Sequence, residues 1–226
     1  MTTITLIHTS DAHVPTFKAL AERIAPEADL VQLVREDWLR SAQKHGLRTG
    51  LRDEIATAIK AAEGTVICTC TTIGEAATQA GAIRIDAPMM AEAAAIGGPI
   101  LLVYALDSTA QPSLQALEAA LAAANTPAEV APLNLSEFWP LFEAGQFEAF
   151  AACMAGGVRD ALEQRDFACV ILAQASMAQA APLLADLKTP VLTSPEAALR
   201  AAIKGKDGAR LFRRVRLLVN PSRHRT

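Results

Sequence analysis

Four short polar segments of this sequence have the residue types to do chemistry, and each follows directly on an apolar run. His8-Thr9-Ser10-Asp11 follows ITLI, Cys70-Thr71-Thr72 follows VICT, Asp107-Ser108-Thr109 follows ILLVYAL, and Gln174-Ala175-Ser176-Met177 follows CVILA. Hydroxyls and backbone N–H groups at a strand-to-helix turn are ready partners for a carboxylate. Cys70 is the sharpest of these residues. A thiol in the first turn of a helix lies near the positive end of the helix dipole, which lowers its pKa and favours the thiolate. The plain alternative is a small buried filler, the role of most free cysteines. Cys68, Cys153 and Cys169 stand in apolar strand or helix settings and read as core. His8 titrates near neutrality and is a candidate general base or proton relay, against the alternative of a hydrogen-bonded structural histidine. Ser108, Thr109 and Ser176 are candidate donors to a ligand, with helix capping as the alternative, and Asp86 is placed to cap a helix beginning near Pro88. His13, His45 and His224 have no sequence neighbours that suggest a metal site. The chain has no Walker loop, no G-x-G-x-x-G and no G-x-S-x-G elbow.

The elements that must position these groups alternate strand and helix. Apolar runs of strand length stand at 4–8, 29–34, 65–69, 82–86, 100–105, 129–133, 168–173 and 191–193. Amphipathic stretches at 15–24, 52–62, 113–124 and 147–163 fall between them. VIC, ILLVYAL and CVILA are apolar throughout, as expected of parallel strands covered on both faces. The pattern predicts an α/β fold with right-handed crossovers. Gly97-Gly98-Pro99 suggests a boundary, and VICTCTTIGEAA in one half echoes VILAQASMAQAA in the other. Two α/β domains are therefore expected, one from 1–97 with 196–226 and one from 98–195. Their strand carboxyl ends would face each other across one cleft, since open α/β sheets bind ligands at those ends.

The motifs in these halves resemble those of the aspartate/glutamate/hydantoin racemase superfamily, which also contains maleate isomerases and arylmalonate decarboxylases. VICTCTTIGEAA is similar to the family's strand followed by Cys-(Asn/Thr)-Thr, and RIDAPMMAEAA to the R-I-D-x-P-M helix start of one subgroup. ILLVYALDSTAQPSLQAL, VILAQASMAQAAPLL and PVLTSPEAAL resemble further motifs of that subgroup, so the likeness runs over roughly residues 3–200. It implies two flavodoxin-like parallel-sheet domains related by a pseudo-twofold, with no cofactor. It also implies proton transfer by a thiol at the α-carbon of a small carboxylate or amino acid. Cys70 then matches the catalytic cysteine of the first half, with His8 a possible helper. Thr9, Thr71, Thr72, Ser108, Thr109, Gln174 and Ser176 fall at substrate-binding positions. Two-base racemases of this kind use a second cysteine from the other half, where this chain has Ala173-Gln174-Ala175-Ser176. The expected activity is a racemase-like isomerase. The alternatives are a single-thiol decarboxylase or cis–trans isomerase of a dicarboxylate and, in another class, a non-catalytic carboxylate-binding protein.

Composition bounds the remaining possibilities. With 51% hydrophobic and 20% charged residues the 226-residue chain is not disordered, and four cysteines are too few for a disulfide scaffold. No apolar stretch of about 18 residues suggests a membrane span, and the start MTTITLIHTSDAH lacks the basic region of a signal peptide, so a soluble cytoplasmic protein is expected. The net charge of −3 hides an asymmetry: residues 204–226 hold eight Lys/Arg and one Asp, leaving 13 Lys/Arg and 23 Asp/Glu before them. That basic segment, without aromatic interleaving, is expected to pack on the first domain or at an interface rather than on nucleic acid. The family resemblance implies a homodimer or higher homo-oligomer.

Overall fold

A computed structural model describes residues 2–204, so the basic segment lies outside the described residues apart from Lys204. Eight strands form two four-stranded parallel sheets. β1 (Thr2–His8), β2 (Ala28–Val34), β3 (Thr65–Cys68) and β4 (Ile83–Arg84) make the first, in the order β2-β1-β3-β4. β5 (Ile100–Tyr104), β6 (Val130–Asn134), β7 (Cys169–Leu172) and β8 (Val191–Thr193) make the second, in the order β6-β5-β7-β8. The orders are identical, with β1 equivalent to β5 and β3 to β7. β3, β5 and β7 are central and nearly wholly buried, which is why their sequences are apolar without alternation. β2, an edge strand, alternates half-buried and exposed residues.

Helices cover both faces of each sheet. On the first, α2 (Glu36–His45), α3 (Thr49–Ala61) and α4 (Gly74–Gln79) bury Trp38, Ile55 and Ala77 against Ile7, Val66 and Cys68. α1 (His13–Ile24) buries Phe17 and Ala21 on the opposite face, beside Ile4, Leu6 and Ile67. On the second sheet, α6 (Asp107–Ala124) covers one face, while α8 (Phe147–Gln164) and a 3-10 stretch, Ala175–Leu184, cover the other. The short α7 (Trp139–Glu143) precedes α8.

Two further helices trade places. α5 (Ala87–Ile96) follows the last strand of the first sheet, yet its Met89, Met90, Ala93 and Ala94 are buried with Ile100, Leu102 and Ile171 of the second. The helix at 194–204, here α9, follows the last strand of the second sheet, and its Ala198, Leu199 and Ala202 are buried with Ile4, Leu6 and Ile67 of the first. The sequence expectation grouped α5 with the first sheet, because it precedes Gly97-Gly98-Pro99; its apolar face lies on the second. Each exchanged side chain as large as Met or Leu contributes about 1.5–3 kcal/mol by burial. The exchange therefore ties the halves together through their cores. Alanine-rich faces let these helices approach closely.

Arg84 adds a polar tie. Its guanidinium donates to both carboxylate oxygens of fully buried Asp86, at 2.6 and 2.8 Å, and to the Pro112 carbonyl of α6 at 2.6 Å. Asp86 was expected to cap α5, but its side chain makes no cap hydrogen bond and pairs with Arg84 instead. No helix among the described residues is long and apolar enough to cross a membrane.

Candidate active site

Parallel strands put all their carboxyl ends on one edge, and the two sheets turn those edges toward one another. The loops after β1, β3 and β7 and the start of α6 after β5 line a cavity of about 580 Å³ between the halves. Thr9, Cys70, Thr71, Thr72, Thr109, Gln174 and Ser176 all line it, so seven of the nine residues expected at the site converge. His8 and Ser108 do not reach it.

Cys70 sits in the loop before α4, which begins only at Gly74 and spans six residues. It is not in a helical first turn, so the expected dipole effect gives way to burial, which pushes its thiol above the ordinary range. The Thr9 and Thr72 hydroxyls and the Ile73 and Thr72 backbone amides beside the sulfur oppose that rise without overcoming it. The resting group is a thiol with donors close to its sulfur. Cys68 is core, its Sγ donating to the Cys70 carbonyl at 3.5 Å, and Cys169 is buried core as well.

His8 is fully buried behind the wall. Its Nδ1 meets the Thr69 hydroxyl at 2.8 Å and its Nε2 meets Gln32 Oε1 at 2.9 Å, while the ring packs on Phe17. Burial lowers its pKa, against the smaller opposing effect of the Gln32 hydrogen bond. Both ring nitrogens are occupied, so His8 holds the strand ends in place and is not a helper at the sulfur. A strand-end histidine reads alike in sequence whether it turns in or out.

The hydroxyls divide into two groups. Thr71 Oγ1 donates to the Ala173 carbonyl at 3.4 Å, and Thr72 Oγ1 pairs with Ser108 Oγ at 3.1 Å, so both bridge the two halves. Thr109 is 2% exposed, and its hydroxyl has no partner among the described residues. None of Ser108, Thr109 and Ser176 makes a side-chain cap bond; the residue capping α6 is Leu106 and that before the 3-10 stretch is Gln174.

Gln174 stands where the pseudo-twofold places the counterpart of Cys70. Ile7 pairs with Cys68 in the first sheet and Val103 with Leu172 in the second, and each functional residue lies two positions beyond its strand. The Ala105 N–H donates to Gln174 Oε1 at 2.7 Å, which fixes the amide orientation, and Nε2 reaches Ser176 Oγ at 3.5 Å. The opposite wall therefore offers an amide N–H, a hydrogen-bond donor with no titratable proton.

Sequence reasoning missed the outer part of the cavity. Asp11, His13, Glu36, Arg40 and Glu143 line it, with Trp139, Phe142 and Phe147 forming an aromatic wall. Trp139 and Phe142 stack at 4.8 Å, and the His13 ring lies 5.9 Å from Phe142. Burial, then neighbouring His8, lowers the His13 pKa to about 4 against the opposing pull of Asp11, so the imidazole is neutral. The available signal was the segment FWPLFEAGQF, which concentrates aromatics in a chain with only 4% of them. Among the described residues no group of three or more His, Cys, Asp or Glu side chains converges as a metal site.

No protein-family model and no curated protein matches the sequence. Solved structures do match in fold. The chain is similar to the allantoin racemase from Klebsiella pneumoniae at 17% identity and a TM-score of 0.63, covering 92% of this chain and 89% of that one. It is similar to the glutamate racemase from Francisella tularensis subsp. tularensis, solved with D-glutamate, at 13% identity and a TM-score of 0.65, covering 98% and 84%. A mutant arylmalonate decarboxylase with associated sulfate aligns at 14% identity and a TM-score of 0.55, covering 91% and 94%. The chain therefore shares the fold of these solved structures.

Proposed function

We propose that this protein is a proton-transfer enzyme acting at the carbon next to the carboxylate of a small acid, with Cys70 as its acid/base thiol. One observation carries the reading. The Cys70 thiol and the Thr109 hydroxyl, which has no side-chain hydrogen bond among the described residues, line the same cavity between the halves. A hydroxyl that faces a cavity and is not committed to a protein partner is available to donate to a ligand. Removing a proton from an α-carbon moves charge onto the carboxylate oxygens. Thr109 Oγ, Ser176 Oγ and the free N–H of Gln174 Nε2 are the donors available to hold that charge. Donors fixed in place before the reaction stabilise developing charge without reorganisation. When Cys70 gives up its proton, Thr9, Thr72 and the loop N–H groups hold the thiolate. Among the solved structures of like fold, glutamate racemase and arylmalonate decarboxylase are named for reactions at such a carbon, and allantoin racemase for one at a carbon next to an amide carbonyl.

Gln174 favours a second reading within the same chemistry. A two-base racemase needs an acid or base on each face of the carbanion, and an amide is neither. A thiol that rests protonated is suited to deliver a proton to a carbanion from one face, as decarboxylation followed by protonation requires.

The test is deuterium incorporation at the α-carbon in D2O, using both enantiomers of amino acids and a set of substituted malonates. Cys70→Ala is expected to lower the rate by about 10²-fold or more, the scale of a lost general acid/base. Exchange confined to one enantiomer, or into the product of decarboxylation, supports one-face delivery. Unchanged exchange in Cys70→Ala removes the thiol from the reaction. Stabilisation by a carboxylate with neither exchange nor decarboxylation identifies a binding protein instead.

A further inference from the structure

The inner and outer parts of the cavity differ in charge. The inner wall is built of Thr9, Cys70, Thr109, Gln174 and Ser176, all neutral donors, and suits one carboxylate. The outer part carries Asp11, Glu36 and Glu143 with Arg40, three carboxylates against one guanidinium, for a net charge of −2 with His13 neutral. Arg40 is partly neutralised by Glu36, its Nη1 lying 3.2 Å from Glu36 Oε2 in an exposed pair one helical turn apart. The carboxylate of Asp11 has no hydrogen-bond partner among the described residues. Glu143 accepts from Trp139 Nε1 at 2.9 Å, and that bond aligns it with the aromatic wall.

We infer that the cavity selects substrates whose end distal to the reacting carbon is cationic, and that Asp11 and Glu143 with the Trp139–Phe142 wall determine that specificity. The inference rests on the reading that the inner wall binds a substrate carboxylate, which the Thr109 and Ser176 hydroxyls and the Gln174 amide lining that wall support. A carboxylate at the distal end would meet like charge. An ammonium or guanidinium there meets opposite charge together with aromatic faces that attract cations. A carboxylate geminal to the reacting carbon would still lie at the neutral inner wall.

Three amino acids of matched length separate the cases: ornithine, glutamine and glutamate place an ammonium, an amide and a carboxylate at the same reach. Calorimetric titration of the full-length protein with each, in both enantiomers, reads binding without turnover. Ornithine is expected to bind at least about fivefold more tightly than glutamine, and glutamate more weakly than either, with the differences shrinking at high ionic strength. D11N and E143Q keep the size of each side chain, and each is expected to cut the ornithine preference about two- to threefold. Equal affinity for all three, no binding of ornithine, tighter binding of glutamate, or an unchanged preference in both variants overturns the inference. Ornithine preference without α-deuterium exchange defeats the proton-transfer reading and leaves the specificity intact. Exchange with preferential glutamate binding defeats only the specificity.

Discussion

Acidification tests two histidines held neutral, His8 behind the cavity and His13 on its wall. His13 falls from 6.5 to about 4, and His8 is lowered as well, both chiefly by burial. A histidine with a depressed folded pKa takes up its proton more readily when unfolded. Its contribution is fully present above pH 6.5 and is lost as the pH falls from there toward the folded value near 4. For His13 alone, the loss by pH 5 amounts to about 2 kcal/mol. Partial exposure of the ring at the cavity wall reduces that to roughly 1–2 kcal/mol. The window is clean, because the carboxylates lowered by arginine partners, such as Glu129 and Glu196, titrate mostly below it. Urea unfolding at pH 7.5 and pH 5 reads the effect as a fall in midpoint on the order of 1 M or somewhat less. His13→Gln keeps a polar side chain and removes its titration, so the fall should shrink by about the 1–2 kcal/mol assigned to His13, leaving the share of His8. A variant that loses as much stability as the unmodified protein between these pH values would refute the assignment of His13 as a group buried neutral.

Two further perturbations address the Arg84 tie between the halves and the packing of β3 on β1 within the first. Asp86→Ala leaves the Arg84 guanidinium, 13% exposed in its side chain, without its charge partner and is expected to cost about 3–5 kcal/mol, read by urea unfolding; a loss below about 1 kcal/mol would show that the Pro112 carbonyl and water suffice. Gly64 has φ +73°, and a Cβ there would stand 2.1 Å from the Thr3 carbonyl oxygen, so Gly64→Ala should shift β3 against β1 and lower stability by more than about 1 kcal/mol. Because Cys70 lies two residues beyond β3, the same variant should also slow any Cys70-dependent exchange, whereas an unaltered rate would show that the strand end is insulated from its start.

All eight strands appear where apolar runs announced them, and the cleft residues Thr9, Cys70, Thr72, Thr109 and Gln174 were visible from their places just beyond those runs. That much is legible because a parallel strand buried on both faces must be continuously apolar, and the chain must turn polar where it leaves the sheet. The direction of a turn residue is not legible in the same way. His8 and Thr9 are adjacent in one strand end, but alternation sends His8 into the packing against Phe17 and Thr9 toward the sulfur. The thiol pKa depends on the balance between burial and hydrogen bonds, and α4 starting four residues later than supposed removes the dipole that the sequence suggested.

The residue order by itself determined an α/β chain of two similar halves, with a thiol in one and an amide at the matching place in the other. Local periodicity and residue type are sufficient for those conclusions. Only the tertiary structure decided that α5 and α9 exchange sheets, that Thr71 and Thr72 bridge the halves, and that Asp11, Glu143 and the Trp139–Phe142 wall close the outer cavity. Those contacts join residues tens to more than a hundred positions apart. Shape, burial and charge summed over both halves select them, and no single segment carries that information.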